Sequence, residues 1–260
     1  MKLSFLLPKY WASWLAIGLT WLIAYLPWCI QRRLGAAIGK LFFHTHSRRK
    51  IAQRNIELCF PKLAQQEQAK LVKEHFIDFG ISSIETCIAL WRLHNKRFLA
   101  SNFTVKGLEH LDDAKQQNKG VVLVCGHLSS VDMASLFVRE LTNNHKLFCT
   151  YIANKNPVMD YFINKRRHTN KVATIEKDNI RTIIKTLRQK NIVWMACDQD
   201  VNHAKAVVFA PFMGVSAATV TSPSRLAQQT NSIIMLYTWY RVSNKPEYEL
   251  ILHPPLANCP

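Results

Sequence analysis

The pattern of apolar and polar positions divides the chain into an uncharged amino-terminal run and a mixed body. In the body, two short and continuous apolar runs lie at 120–125 and 191–197, between stretches of helical periodicity. A short apolar run is typical of a strand that is buried on both faces, and strands that alternate with helices indicate a parallel sheet. The pattern therefore predicts an α/β fold with a mostly parallel central sheet flanked by helices, and an apolar helix before it.

Helical and hairpin patterns complete the predicted body. The predicted helices cover 61–94, 107–117 and 131–141, and others begin near Asn156, Asp178 and Ser222. Two further apolar segments, 232–240 and 248–252, flank a short polar turn and predict a β-hairpin. The segment after Asp178 places its basic residues on the outer face, a pattern more typical of solvated surface than of a docking site.

The uncharged run extends over the 22 residues from Tyr10 to Gln31. At 1.5 Å per residue a helix of this length measures about 33 Å, against about 30 Å for the hydrocarbon layer of a bilayer. Aromatic residues lie at both ends, as expected at the two membrane interfaces. We therefore predict a transmembrane or membrane-embedded anchor helix in residues 1–31 and an α/β domain in residues 32–260. A helix lying in the interface and a buried core helix remain open, whereas a cleaved signal peptide does not fit so long a run.

The charge distribution suggests where the domain lies and what it meets. Seven basic residues between Arg32 and Arg54 follow the run and only Lys2 and Lys9 precede it, which predicts a single-pass membrane protein with its domain on the cytoplasmic face. The 34 Lys and Arg against 17 Asp and Glu predict a partner rich in negative charge: nucleic acid, anionic lipid or an acidic carrier protein. No nucleic-acid-binding signature favours the first of these. The seven scattered cysteines, without a C-x-x-C pair, are typical of reduced thiols in the cytosol.

The principal candidate for catalysis is His127, which follows the first apolar run, together with Asp132. The carboxyl ends of parallel strands are where open α/β sheets bind their ligands. A histidine whose second ring nitrogen is held by a carboxylate is a general base that can deprotonate an attacking hydroxyl. The alternative is a loop histidine followed by an acidic residue that stabilises a helix N-terminus. These residues alone favour the loop interpretation.

The second apolar run ends in Asp198 and Asp200, separated by one residue. An Asp-x-Asp after a strand is compatible with a divalent metal in a nucleotide-sugar transferase, although such a pair more often serves loop hydrogen bonding. The His44-x-His46 pair is too small to indicate a metal site, and H-E-x-x-H is absent. We therefore predict no metal and no cofactor.

Several segments taken in order resemble the bacterial lipid A biosynthesis acyltransferases, a family within the lysophospholipid-acyltransferase-like superfamily. The resemblance includes Gly126-His127 with Asp132 as the His-x4-Asp/Glu motif and Arg167 in the place of a family arginine. The other matching segments are 55–61, 105–111, 198–200, 208–214 and 224–227. This collinear set favours the catalytic interpretation of His127 over the loop interpretation, and disfavours the sugar transferase.

The resemblance implies an acyltransferase that moves a fatty acyl chain from the thioester of an acyl carrier protein to a hydroxyl of a lipid A precursor of the Kdo-lipid IVA type. It implies His127 as the general base and Asp132 as its partner. The further candidates for contact with the phosphorylated glycolipid are Arg167, Arg225, Asp198, Asp200 and Lys205. For the two arginines, solvation at a helix end is the alternative.

Two departures from the family pattern leave alternatives open. The family has a Gly-Pro-basic turn after the acidic loop, whereas 201–206 keeps only Lys205 as a basic residue, and the family continues with a helical segment past Pro260. The alternatives are an acyltransferase acting on another glycolipid or an amino lipid, and a catalytically impaired member that binds membrane lipid.

Overall fold

The computed structural model of the protein describes residues 2–45, 47–92, 96–128, 130–134, 146–169, 172–198 and 207–257. The strands are β1 (Phe103–Lys106), β2 (Val121–Cys125), β3 (Leu147–Tyr151), β4 (Ala173–Glu176), β5 (Ile192–Ala196), β6 (Val207–Phe212), β7 (Val215–Val220), β8 (Ile233–Arg241) and β9 (Tyr248–Leu252). Seven of them form one sheet in the order β1-β9-β8-β2-β5-β3-β4, and β6 pairs with β7 as a separate antiparallel hairpin. From β4 to β8 the neighbouring strands are parallel, and β9 is antiparallel to β8. The predicted α/β class and the β8–β9 hairpin are confirmed.

The helices are α1 (Trp11–Tyr25), α2 (Trp28–Thr45), α3 (Arg49–Cys59), α4 (Gln65–Arg92), α5 (Lys96–Asn102), α6 (Leu108–Gln116), α7 (Pro157–Thr169), α8 (Ile180–Arg188) and α9 (Ser222–Thr230). Two short 3-10 turns precede α1, and residues 131–134 are helical. The helices predicted near Asn156, Asp178 and Ser222 correspond to α7, α8 and α9.

The sheet has a separate core on each face because successive side chains of a strand point to opposite sides. In β2, Val121 and Leu123 pack with α4 and α6, while Val122 packs with α8 and α9. Strand β5 alternates in the same way. Helices α4 and α6 therefore cover one face of the sheet, and α8 and α9 cover the other.

The uncharged amino-terminal run does not form the single helix that we predicted. Helix α1 ends at Tyr25, Leu26 is extended, and α2 begins at Trp28. Pro27 accounts for the break, because proline disfavours the helical conformation of the residue before it. The side-chain amide of Gln31 donates to the carbonyl oxygens of Ile23 and Ala24 at 2.8 and 3.0 Å and so caps the broken end.

The break at Pro27 bears on the membrane anchor that we predicted for residues 1–31. None of the described helices combines the length and the apolarity needed to cross a bilayer. A transmembrane helix over residues 10–31 is therefore not supported. Helix α1 instead packs against α4 and α7 through a small apolar cluster that includes Ile17, Leu90 and Phe162.

Helices α2 and α4 meet backbone to backbone at three glycines. A Cβ atom added to Gly80 would lie 2.2 Å from the carbonyl oxygen of Gly35, and one added to Gly39 would lie 2.3 Å from that of Phe76. No side chain fits at such distances, so this contact requires glycine. It fixes α2, and the basic residues it carries, against the long helix that covers the sheet.

Candidate active site

The candidate site lies at the carboxyl edge of the parallel sheet, where β2 and β5 end side by side. The two strands pair in register, with Cys125 opposite Ala196, and the Cys197 amide donates to the Cys125 carbonyl at 3.4 Å. Because both strands end at the same edge, the residues that follow them meet there. His127 follows β2 by two residues and Asp198 follows β5 by two residues.

Asp198 holds His127 through two hydrogen bonds. Its Oδ1 lies 2.5 Å from Nδ1 of the imidazole, and its Oδ2 accepts the backbone N–H of His127 at 2.8 Å. With the proton of the neutral ring on Nδ1, Nε2 is the proton acceptor. The two side chains are 40% and 44% exposed, so the pair is open to a substrate.

Asp132, the partner that we predicted for His127, is engaged by Arg167. Its Oδ1 accepts Nε of Arg167 at 3.1 Å and Nη2 at 2.7 Å. Burial opposes the charge of the guanidinium, but the adjacent Asp132 carboxylate favours it, and the net effect raises the pKa of Arg167. The carboxylate that the structure gives to the imidazole is thus Asp198, because strand register places it there, while Arg167 reaches Asp132 from α7.

The other predicted contact residues lie in different places. Arg225 is exposed in the first turn of α9, which packs on β2 and β8. Since α9 leads into a strand parallel to β2, its first turn lies toward the carboxyl edge of the sheet. Asp200 and Lys205 fall outside the described residues, so their positions stay predictions.

Trp239 supports the loop that carries His127, and sequence reasoning missed it. Strand β8 continues past its pairing with β2, and the indole N–H of Trp239 donates to the carbonyl oxygen of Leu128 at 2.6 Å. The indole is buried and packs against the ring of Tyr248. The apolar segment 232–240 is longer than the five residues of β2 with which it pairs, and this excess length was the sequence signal that β8 extends beyond β2.

A buried carboxylate, Glu85 of α4, anchors the same extension of β8. It accepts Nε of Arg241 at 2.7 Å and the hydroxyl of Tyr248 at 2.9 Å, while Nη1 of Arg241 donates to Asp78 at 2.9 Å. Burial raises the pKa of Glu85, and the Arg241 charge opposes that rise. Beside this cluster is a groove of about 470 Å³, lined by Asp78, Leu128, Thr238, Trp239, Tyr240 and Arg241. Leu128, which lines the groove, directly follows His127 in the chain.

The cysteines at the site are not suited to nucleophilic chemistry. Burial raises the pKa of Cys125 to about 11 and that of Cys197 to about 12. Cys149 is also buried, and its pKa rises to about 12. A nucleophilic cysteine requires a thiolate, so these three residues act as core residues at neutral pH.

Metal ligation was the rival explanation for the acidic loop. Within the described ranges, no group of three or more His, Cys, Asp or Glu side chains could hold a metal ion. Asp198, the described half of the Asp-x-Asp pair, instead serves His127. Its two oxygens are directed at nitrogen atoms, which fits the orientation of a base.

The chain is similar to known acyltransferases over almost all of its length. The family model described as bacterial lipid A biosynthesis acyltransferase matches residues 1–259. A lipid A biosynthesis lauroyltransferase of Escherichia coli is 32% identical over 97% of this chain and 81% of that protein. A lipid A biosynthesis palmitoleoyltransferase of the same organism is 31% identical over 99% of this chain and 83% of that protein.

Among solved structures, the chain is similar to the 1-acyl-sn-glycerophosphate (LPA) acyltransferase PlsC of Thermotoga maritima. The alignment covers 87% of this chain and 86% of that chain, with 12% identity and a TM-score of 0.39. This likeness is too weak to bear on function.

Proposed function

Because the chain belongs to the bacterial lipid A biosynthesis acyltransferase family and is an acyltransferase, we propose that it acylates a hydroxyl of a lipid A precursor from the thioester of an acyl carrier protein. The observation that carries the mechanism is the pair of hydrogen bonds from Asp198 to His127 at the carboxyl edge of the sheet. They fix the imidazole in one orientation and one tautomer. A base fixed in this way serves hydroxyl attack on an acyl carbon.

The proposed reaction proceeds in two proton transfers. Nε2 of His127 takes the proton of the acceptor hydroxyl while its oxygen attacks the thioester carbon. The carbon–sulfur bond then breaks, and the imidazolium returns the proton to the departing thiolate, leaving an ester and a free thiol. Asp198 stabilises the imidazolium between these steps, since its carboxylate faces Nδ1.

We assign Asp132 and Arg167 a different part in this reaction. Asp132 binds Nε and Nη2 of Arg167, which leaves Nη1 of the guanidinium for an anionic oxygen. An arginine held on one side by a carboxylate is a rigid donor for a phosphate or for the oxyanion of the intermediate. Asp132 is then a positioning residue that acts through Arg167.

The names of the relatives and the shape of the site support the proposed donor and acceptor. The names of the relatives describe lauroyl and palmitoleoyl transfer in lipid A biosynthesis, which supports a long-chain acyl donor and a glycolipid acceptor for this chain. We place the reacting ends of the two substrates in the groove beside Leu128 and Trp239, because Leu128 directly follows His127 in the chain. A volume of about 470 Å³ lies within the range of small-molecule sites.

We also propose that the enzyme works at the cytoplasmic face of the inner membrane with α1 lying in the bilayer interface. Trp11, Leu15 and Leu22 share one face of α1 and are 65%, 68% and 54% exposed. The adjoining α2 exposes the cations Arg33 and Lys40. Exposed apolar side chains beside cations suit the surface of an anionic bilayer.

The test is turnover by the purified full chain in mixed micelles. The donor is a lauroyl thioester of acyl carrier protein, and the parallel acceptors are a bisphosphorylated lipid A precursor, an uncharged glycolipid and an amino lipid. We expect mass spectrometry to find the added acyl chain on the precursor, and His127→Ala to lower turnover by about 10² to 10⁴, the usual contribution of a general base. If the enzyme prefers the amino lipid or the uncharged glycolipid, that lipid is its acceptor and the lipid A precursor is not. If the folded protein transfers no acyl chain to any acceptor, it is a catalytically impaired member that binds lipid.

A further inference from the structure

The outer face of α8 presents three cations that have no ion-pair partner within the part of the chain that the structure describes. Arg181, Lys185 and Arg188 are exposed, and they follow one another at helical spacing, while Ile183 and Leu187 on the inner face are buried in the core. Helix α8 contains no acidic residue. Among the described residues, no carboxylate forms an ion pair with any of the three cations.

These cations line a groove between α8 and α9. The groove has a volume of about 460 Å³ and is lined by Arg181, Ile184, Lys185, Arg188, Gln189 and Gln229. From Arg181 to Arg188 the helix rises about 10 Å, which corresponds to two turns of a partner helix. Positive groups along the groove, with two amides at one end, suit a helix that carries several carboxylates.

The position of α8 relates the groove to the site. Helix α8 lies between β4 and β5, which are parallel strands, so it runs back across the sheet and begins at the carboxyl edge. Arg181, in the first turn, is thus on the side of the sheet edge that holds His127 and Asp198. A partner bound along α8 therefore has one end toward that edge of the sheet.

We propose that the α8–α9 groove docks the acyl carrier protein through an acidic helix of that protein. The proposal rests on the proposed function, which makes the carrier thioester the acyl donor. The charges of the two surfaces are opposite, so docking raises the local concentration of donor beside His127. The thioester then reaches the base over the carboxyl edge of the sheet.

Anionic lipid is the competing occupant, and the fold favours the carrier. The exposed apolar face of α1 belongs to the layer of α1, α2 and α4, whereas α8 covers the opposite face of the sheet. Helices α1 and α8 therefore lie on opposite sides of the sheet. On α8 itself, Ile180 is the one large apolar side chain that is exposed, whereas α1 exposes several, so α1 suits the apolar part of a membrane better than α8 does.

The experiment compares two donors and two charge reversals of equal size. The docking variant is Arg181→Glu with Lys185→Glu. The matched control is Lys70→Glu with Lys73→Glu, two exposed cations of α4 on the other side of the sheet. Each is assayed with the lauroyl carrier protein and with lauroyl-pantetheine, which has the same thioester but no protein. Thermal melting checks the fold, and Arg181→Gln with Lys185→Gln is the milder substitute if the reversal unfolds the protein.

We expect the docking variant to raise KM for the carrier about tenfold or more, because it replaces two attractions by two repulsions. Its kcat and its use of lauroyl-pantetheine should stay at the wild-type level, as should both activities of the control. A carrier with two glutamates of its acidic helix changed to lysine should restore KM. Rising ionic strength should raise the wild-type KM, since salt screens exposed charges.

Unchanged KM in the docking variant would overturn the proposal, as would an equal loss on both donors. Loss of binding to anionic vesicles, with KM for the carrier unchanged, would assign the groove to the membrane. Binding of fluorescent lauroyl carrier protein to the two variants is measured as well. If the wild type transfers acyl chains from neither donor, the proposed function fails, and this binding measurement still decides the docking.

Discussion

Replacing Asp198 by asparagine tests the partner of His127 directly. The change keeps the size of the side chain but removes the charge and turns one acceptor oxygen into an amide donor. Both hydrogen bonds of Asp198, at 2.5 Å to Nδ1 and at 2.8 Å to the His127 N–H, depend on acceptor oxygens. An amide that satisfies one of them opposes the other, and it cannot stabilise an imidazolium.

The expected loss is large for catalysis and small for stability. Without Asp198, the imidazole of His127 is no longer held in one tautomer and its cationic form has no counter-charge. We therefore expect most of the general-base contribution to the rate to be lost, so that kcat falls by about 10² to 10⁴. That corresponds to about 3 to 5 kcal/mol of transition-state stabilisation. The pair is two-fifths exposed, so its contribution to the free energy of unfolding is screened by solvent and amounts to about 1 kcal/mol at most.

The assay separates this effect from that of Asp132. Steady-state kinetics with the phosphorylated acceptor give kcat and KM for Asp198→Asn and for Asp132→Asn, and thermal melting gives stability. We expect Asp198→Asn to lower kcat with KM near the wild-type value, and Asp132→Asn to raise KM for the acceptor because Arg167 loses its anchor. Near-normal kcat in a folded Asp198→Asn protein, with a severe loss of kcat in Asp132→Asn, would refute this assignment and restore Asp132 as the partner of His127.

Three further changes test other parts of the structure. Gly80→Ala should lower the free energy of unfolding by about 1 to 3 kcal/mol, because its Cβ would lie 2.2 Å from the carbonyl oxygen of Gly35. Gly18→Ala is the control: a Cβ there has no atom within 4 Å, so the change should be neutral or stabilising in the same denaturant titration. Trp239→Phe should lower kcat and cost about 1 kcal/mol of stability, because the Leu128 carbonyl loses its donor; unchanged kcat would remove Trp239 from the positioning of His127. Arg167→Lys should raise KM for a bisphosphorylated acceptor, because we expect Arg167 to bind one of its two phosphates. For an acceptor that lacks this phosphate, the same change should leave KM nearly unaltered; equal effects on both acceptors would exclude the contact.

Much of the fold was predictable from local patterns. The two apolar runs correspond to β2 and β5. The helical periodicity after Asp178 predicted an inner face of Ile180, Ile183, Ile184 and Leu187. Of these, Ile183 and Leu187 are buried, Ile184 is partly buried, and Ile180 in the first turn is exposed. The break in the amino-terminal run was also encoded in the sequence, since Pro27 lies inside it. We judged that run by its charge, its length and the aromatic residues at its ends, and none of these properties takes account of a proline. The close contact of α2 with α4 could not be predicted in this way, because the spacing of apolar residues within one helix does not show which other helix it packs against.

The partner of His127 shows where sequence reasoning ends. Asp132 is five residues away along the chain, and a short spacing favours a local pair. Asp198 is 71 residues away, and it reaches the imidazole only because β2 and β5 are neighbours and pair with Cys125 opposite Ala196. A shift of one residue in that register would turn the Asp198 side chain to the other face of the sheet, because side chains alternate along a strand. The position of Asp198 beside His127 therefore depends on a pairing of strands that lie far apart in sequence, while Asp132 contacts Arg167 instead.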